Sequence, residues 1–181
     1  MPKLFVQLLH KDSKTPVKST THASGYDVYA YLPFDLYPSK EIRLEPHETT
    51  IVPTGIKVAT ELGHDIKMFP RSGLAAKRDS SLTLSNAVGV IDLDFRHELK
   101  VLLHNSSDNW VMITHEERIA QLLVQVVPDT ELTIVDQLPD IESNRTGGFG
   151  STGTHELSKD KQKQANELNK TTMNQIIKQA H

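Results

Sequence analysis

The sequence predicts an all-β chain, a sandwich or barrel of short strands, and three observations carry that prediction. Short apolar or alternating runs recur through residues 1–138, and Pro46, Pro53, Gly55, Gly63, Pro70, Gly73 and Pro128 punctuate them. No long helical period precedes residue 154, and there is no internal repeat. In order, residues 4–9, 50–58 and 66–69 read as strands. Residues 98–102 alternate polar and apolar, as a half-buried strand does. Residues 119–127 are nearly continuous and apolar apart from Gln121 and Gln125, which predicts a deeply buried strand.

At 181 residues the chain is long enough for one domain with a real core and short for two. A net charge of −3 supplies no global basic field for nucleic acid or an anionic membrane, so neither is expected as a partner and any phosphate site must be local. The absence of cysteine excludes disulfides, thiolate zinc sites and cysteine nucleophiles. The opening MPKLFVQLLHKDSK carries a short apolar patch without a signal-peptide cleavage pattern, and no segment reaches membrane-spanning length; a cytoplasmic protein is expected. Composition divides the chain into a β domain over residues 1–142, a glycine-rich arm over 143–153 and a polar tail over 154–181. In the tail Ala165, Leu168, Thr172, Ile176 and Ala180 share one helical face, so it reads either as a helix that docks on a neighbouring subunit or protein partner, or as a solvated, disordered end.

Five stretches carry chemistry. ASGYDVYA at 23–30 sets Asp27 beside a turn glycine and ahead of a strand; such turns are common. In PRSGLAAK at 70–77, Arg71 offers a planar fork for phosphate oxygens, Ser72 a hydroxyl, and Gly73 close approach of backbone amides to an anion; a helix opening at 74–77 would add its N-terminal amides. Alone, it also reads as a surface turn. NAVGVIDLDFRHELKV at 86–101 surrounds Asp92 and Asp94 with apolar neighbours, although carboxylates are rarely buried unpaired. A tight hairpin there would present backbone edges to a flat heterocycle. Asn86 would add a donor and an acceptor, Asp92 would activate a water, and Phe95 would give a flat face to a sugar. An ordinary hairpin with an acidic turn is the competing reading. In EERIAQLLV, Gln121 interrupts an apolar run and needs a hydrogen-bond partner. NRTGGFGSTG at 144–153 frames Phe149 with glycines ahead of Ser151 and Thr152, as either a closing arm or a linker.

In this order on a short all-β chain, the five stretches resemble the trimeric dUTP pyrophosphatase (dUTPase) family, whose motifs have the forms AGYDL, PRSGLA-K, GVID-DYRGE, ERIAQL and GGFGSTG. The resemblance runs from about residue 4 to residue 153. It implies a distorted jelly-roll barrel assembled as a homotrimer, with sites built from motifs of different subunits and the arm crossing to a neighbour. It also implies Mg2+-assisted hydrolysis of dUTP to dUMP and pyrophosphate by water attack on the α-phosphate, which clears dUTP from the nucleotide pool and supplies dUMP for dTMP synthesis. By the same resemblance Asp92 activates the water, and Gly89, Val90 and Ile91 line the uracil and deoxyribose pocket, with Asn86 on the base and Lys100 beside it. Arg71, Ser72, Gly73 and Gln121 hold phosphates. Phe149 and Gly150 cap the base, while Arg145, Ser151 and Thr152 reach the outer phosphates. Asp27 supports the metal-and-phosphate region without being a direct ligand, since Mg2+ is held mostly by triphosphate oxygens and waters. The nine histidines show no zinc spacing and read as incidental.

Three positions depart from the family pattern: Phe95 stands where tyrosine is usual, His97 replaces a glycine, and Arg145 lies four rather than five residues before Phe149. Residues 31–43 and those beyond 153 look like additions. Two other readings compete. A dCTP deaminase shares the fold and trimer, but the place of its glutamate base, counted from Asn105, is Leu102. A dUTPase-like trimer with an added regulatory protein-binding role is the alternative from a different class.

Overall fold

The computed structural model describes residues 1–76 and 82–141 together with Lys163 and Glu167. Two compact units divide at Glu131, Met1–Glu131 and Leu132–His181. The tail over 154–181 lies outside the described residues except for Lys163 and Glu167, and among the described residues the first unit holds eleven strands and one helical turn. They are β1 (Leu4–Leu8), β2 (Tyr26–Tyr29), β3 (Glu41–Leu44), β4 (Thr49–Pro53), β5 (Ile56–Thr60), β6 (His64–Phe69), α1 (Ser72–Ala75), β7 (Leu82–Leu84), β8 (Gly89–Ile91), β9 (Lys100–Asn105), β10 (Val111–Thr114) and β11 (Arg118–Val126). Every strand pair is antiparallel. The two larger sheets run β2-β11-β6-β8 and β4-β9-β7, and β1-β5 and β10-β3 form two ribbons. No helix among the described residues is long and apolar enough to cross a membrane.

The all-β expectation holds, with corrections in detail. The run read as one strand over 50–58 is two, because Gly55 adopts φ +67° between β4 and β5. A Cβ there would meet the Ser13 hydroxyl oxygen at 2.5 Å and the Tyr31 ring at 2.8 Å, so both the backbone and the space require glycine. The strand expected from residue 98 begins at Lys100, since Glu98 and Leu99 belong to the approach of β4 to β5: the Leu99 N–H donates to the Ile56 carbonyl at 2.8 Å and the Gly55 N–H to Glu98 Oε1 at 2.9 Å. β11 is deeply buried only in its first half; Ile119, Ala120 and Leu122 are at most 1% exposed, while Val126 is 74% exposed. β3 overlaps the end of the 31–43 stretch and pairs with β10 through Ile42 and Ile113.

The core fills from alternate positions of both larger sheets, with Val28, Val52, Ile66, Val101, Leu103 and Leu122 almost fully enclosed. Burying each such side chain contributes about 1.5–3 kcal/mol. One histidine is structural rather than incidental: His115 Nδ1 accepts the Leu32 N–H at 2.9 Å, and its ring meets Tyr31 edge-on. Tyr31 stacks on His10 at 4.6 Å and donates its hydroxyl to Asp12. Burial, followed by the Asp12 bond and nearby carboxylates, pushes the phenol up to about 12.

Asn105, fully buried at the end of β9, holds the loop into β10. Its Nδ2 donates to the carbonyls of Leu44, Glu45 and Asn109, at 3.3, 3.0 and 2.7 Å, while Oδ1 accepts from the N–H and hydroxyl of Ser107. Asn105→Ala strands those buried groups without replacement and is expected to cost about 3 kcal/mol in chemical denaturation. An unchanged unfolding midpoint would show that water replaces the amide there.

Candidate active site

Asp27 anchors one end of the β2-β11-β6-β8 sheet. It lies within β2 rather than ahead of it, opposite Gln121 of β11, which in turn faces Phe69 at the end of β6. The residues opposite one another in an antiparallel ladder point to one face, so the first and fourth motifs meet through sheet register, and the second begins just past the end of β6. Asp27 accepts from Ser19 Oγ at 2.7 Å, from Arg71 Nε at 2.8 Å and from Arg118 Nη1 at 3.1 Å. Arg71 also donates to the Arg118 carbonyl at 3.0 Å, which leaves its fork fixed from two sides. The Asp27 side chain is 9% exposed and that of Arg71 22%. Burial pushes the Asp27 carboxyl up, but Ser19 and the two guanidiniums outweigh it and hold it below its ordinary value.

Gln121 finds the partner its burial requires: Nε2 donates to the Pro70 carbonyl at 3.0 Å. Its side chain lies across Gly25, where a Cβ would collide with the amide oxygen. The glycine of the first motif therefore makes room for the glutamine of the fourth. After Pro70 the chain makes a single helical turn that opens at Ser72, two residues earlier than the sequence suggests. Ser72 and Gly73 are exposed, and among the described residues nothing beyond its own helical turn lies within 4 Å of where a Gly73 Cβ would be. Lys77 lies outside the described residues.

The third motif occupies the other end of the sheet. Gly89 pairs with Met68 and Ile91 with Ile66. The Ile91 side chain is only 6% exposed and belongs to the core, whereas Val90 is 60% exposed. Asp92 follows as the first residue of the turn, exposed, with the Phe95 N–H donating to its carbonyl at 3.1 Å. The acidic residues of this run thus avoid burial by standing just past the strand. The tight hairpin expected here is instead a turn that joins two sheets, since β8 pairs with β6 and β9 with β4 and β7; the run into the turn is tied to β6 and the run out of it to Gly55 and Ile56. Asn86 sits in the exposed turn before β8, and its amide nitrogen would lie 3.5 Å from a Gly89 Cβ. Lys100, at the start of β9, is exposed and 3.8 Å from Glu98.

Asp92, Val90 and Leu93 line an open groove of about 710 Å³ with His64, Asp65 and residues 127–130. Continuing the β8 register sets Asp92 level with Asp65. At about 3.3 Å per residue the run from Asp65 to Arg71 spans about 20 Å. Within one chain, then, the backbones of Asp92 and Arg71 stand at opposite ends of β6. Arg145, Phe149, Gly150, Ser151 and Thr152 lie outside the described residues. Two participants escaped the sequence reading, Ser19 and Arg118; Arg118 stands inside the fourth motif, and its charge beside a buried strand was the available signal.

Among the described residues no group of three or more His, Asp or Glu side chains is placed to hold a metal ion. The oxygen donors lining the groove beside Asp92, the carboxylates of Asp65, Asp92 and Asp129 and the Thr130 hydroxyl, suit a hard ion kept largely hydrated.

A family model described as dUTPase matches residues 11–153. The Deoxyuridine 5'-triphosphate nucleotidohydrolase of Nautilia profundicola is 38% identical over 151 residues, covering 83% of this chain and 99% of that protein. The protein of the same name from Bdellovibrio bacteriovorus is 40% identical over 158 residues, 84% of this chain and 99% of its own. Among solved structures, the Staphylococcus bacteriophage 80alpha dUTPase with dUpNHpp superposes with a TM-score of 0.70 at 23% identity, covering 84% of this chain and 99% of that one. A mutant dUTPase from phage phi11 of S. aureus, described with a structural Mg(II) ion, gives 0.63 at 19% identity over 76% of this chain and 99% of its own. At those identities the two structures speak for the fold.

Proposed function

Because this chain belongs to the dUTPase family, we propose that it hydrolyses dUTP to dUMP and pyrophosphate, with Asp92 as the base. The observation that carries the assignment of Asp92 is its position: an exposed carboxylate that opens a turn between two sheets, with the chain fixed separately on either side of it. A base held in this way can accept a proton from water as the water oxygen bonds to the α-phosphorus. The bond from that phosphorus to the bridging oxygen breaks, and pyrophosphate leaves with the electron pair. The reaction clears dUTP and yields dUMP, the precursor for dTMP.

Arg71, aimed by Asp27, binds phosphate oxygens and offsets the charge that builds on the leaving group. Ser72 and Gly73 lie beside it, with Gln121 buttressing the Pro70 carbonyl behind them. Mg2+, when bound with the triphosphate, supplies further charge to stabilise the leaving pyrophosphate. Both Asp27 oxygens are already engaged by Ser19, Arg71 and Arg118, which supports a role for Asp27 behind the phosphate site rather than as a direct ligand. Gly89, Val90, Ile91 and Asn86 form the base pocket, Ile91 through its backbone, with Lys100 from the start of β9 and Phe95 against the sugar. The arm residues Arg145, Phe149, Gly150, Ser151 and Thr152 close over base and phosphates.

The placement of Asp92 and Arg71 at opposite ends of β6 supports a homotrimer in which one subunit's Asp92 turn faces another's phosphate residues. The segment leading to the arm supports the crossing of that arm to a neighbour: Leu132, Ile134, Leu138 and Ile141 are each more than three-quarters exposed in the lone chain. Leu102 on β9, where a deaminase needs a carboxylate, argues against deamination. The test is pyrophosphate release with Mg2+ from dUTP, dCTP, dTTP and UTP. Selective cleavage of dUTP is expected; release of ammonia from dCTP, or binding of dUTP without turnover, would sink the assignment.

A further inference from the structure

Phenylalanine at position 95 has no polar handle, so its ring must be held by packing alone. The core supplies one side of that packing, since Phe95 is half-buried against it. The second comes from His97. The two rings meet edge-to-face, with centroids 5.8 Å apart and planes at 70°, the arrangement that aromatic quadrupoles favour. The contact joins residues 95 and 97 across Arg96, whose side chain takes a different course. Arg96 indeed folds back over the turn, its Nη1 donating to the carbonyls of Leu93 at 2.7 Å and Phe95 at 2.8 Å. The turn is therefore closed by backbone and guanidinium. The histidine ring is not needed to close it, and His97 is exposed.

We propose that His97 is a positioning residue for sugar selection: it fixes the Phe95 ring at the angle that excludes a ribose 2′-hydroxyl. This rests on the reading that Phe95 faces the sugar of dUTP. Glycine at 97 would leave the ring free on that side. The histidine thus restores by ring contact part of the constraint that a hydroxyl-bearing ring gains from its polar end.

The experiment compares wild type, His97→Ala and His97→Phe for kcat and KM on dUTP and on UTP, with Mg2+. An edge-to-face contact of ordinary strength converts to a change of about 3- to 10-fold. The Ala variant is expected to lose that much of the ratio of kcat/KM for dUTP over UTP, through KM, with kcat on dUTP within about twofold. His97→Phe is expected to recover the ratio to within about twofold, and the thermal midpoint should hardly move because His97 is exposed. A ratio unmoved in the Ala variant, or lost equally in both variants, overturns the proposal. A wild type that fails to cleave dUTP overturns the functional reading and this inference with it, whereas wild-type cleavage with an unmoved ratio overturns this inference alone.

Discussion

Replacing Asp92 by asparagine lowers kcat for dUTP by about 10³-fold and leaves affinity for a non-hydrolysable dUTP analogue within about threefold. The side chain is exposed, has no hydrogen-bond partner to lose among the described residues, and stands past the last residue of β8, so the substitution leaves the turn's anchors intact. Only the capacity to take a proton is removed. Single-turnover release of pyrophosphate beside a binding isotherm separates the two quantities. A parallel loss of binding and turnover would mean that Asp92 holds substrate or turn rather than water, and a kcat within about tenfold of wild type would move the base elsewhere.

Asp27→Ala acts on both stability and binding. One carboxylate receives Ser19, Arg71 and Arg118; without it two guanidiniums face each other across a half-buried gap. The loss is expected to cost about 2–4 kcal/mol in chemical denaturation. KM for dUTP should rise by about tenfold or more, because Arg71 keeps only its bond to the Arg118 carbonyl. Acid provides an independent reading. The folded carboxyl titrates below its ordinary value of 3.8. Between the two values the unfolded chain binds more protons, so stability there rises with pH. The contribution of Asp27 is complete above the ordinary value and is lost as pH falls through the folded one. Asp27→Asn should flatten that part of the acid-unfolding curve. An unaltered curve would assign the acid sensitivity to other carboxylates.

Much of this site is legible in the sequence because its motifs are local. The turn glycines, the fork of Arg71 and the aspartate past an apolar run each announce a geometry within a few residues. What escaped reading depends on partners far along the chain. Thr54 and Gly55 look like part of a single strand until Ser13 and Tyr31 are seen to occupy the space beside them. Ser19 is an ordinary loop serine until β2 brings Asp27 to it. The outer half of β11 reads as core because apolar content does not reveal which end of a strand the rest of the sheet covers. His115 has no motif at all, and only the approach of Leu32 gives its ring nitrogen work.

The length of β6 also has a genetic consequence. Because the turn carboxylate and the arginine lie at opposite ends of that strand, a chain damaged at one end still carries the other intact. Two null alleles, one altered at Asp92 and one at Arg71, can then restore each other when expressed together, since a mixed trimer of the proposed kind contains at least one pairing of sound ends. For the same reason a single defective allele is only partly dominant: each bad chain spoils the pockets it touches at that end, and the remaining boundaries between subunits continue to work.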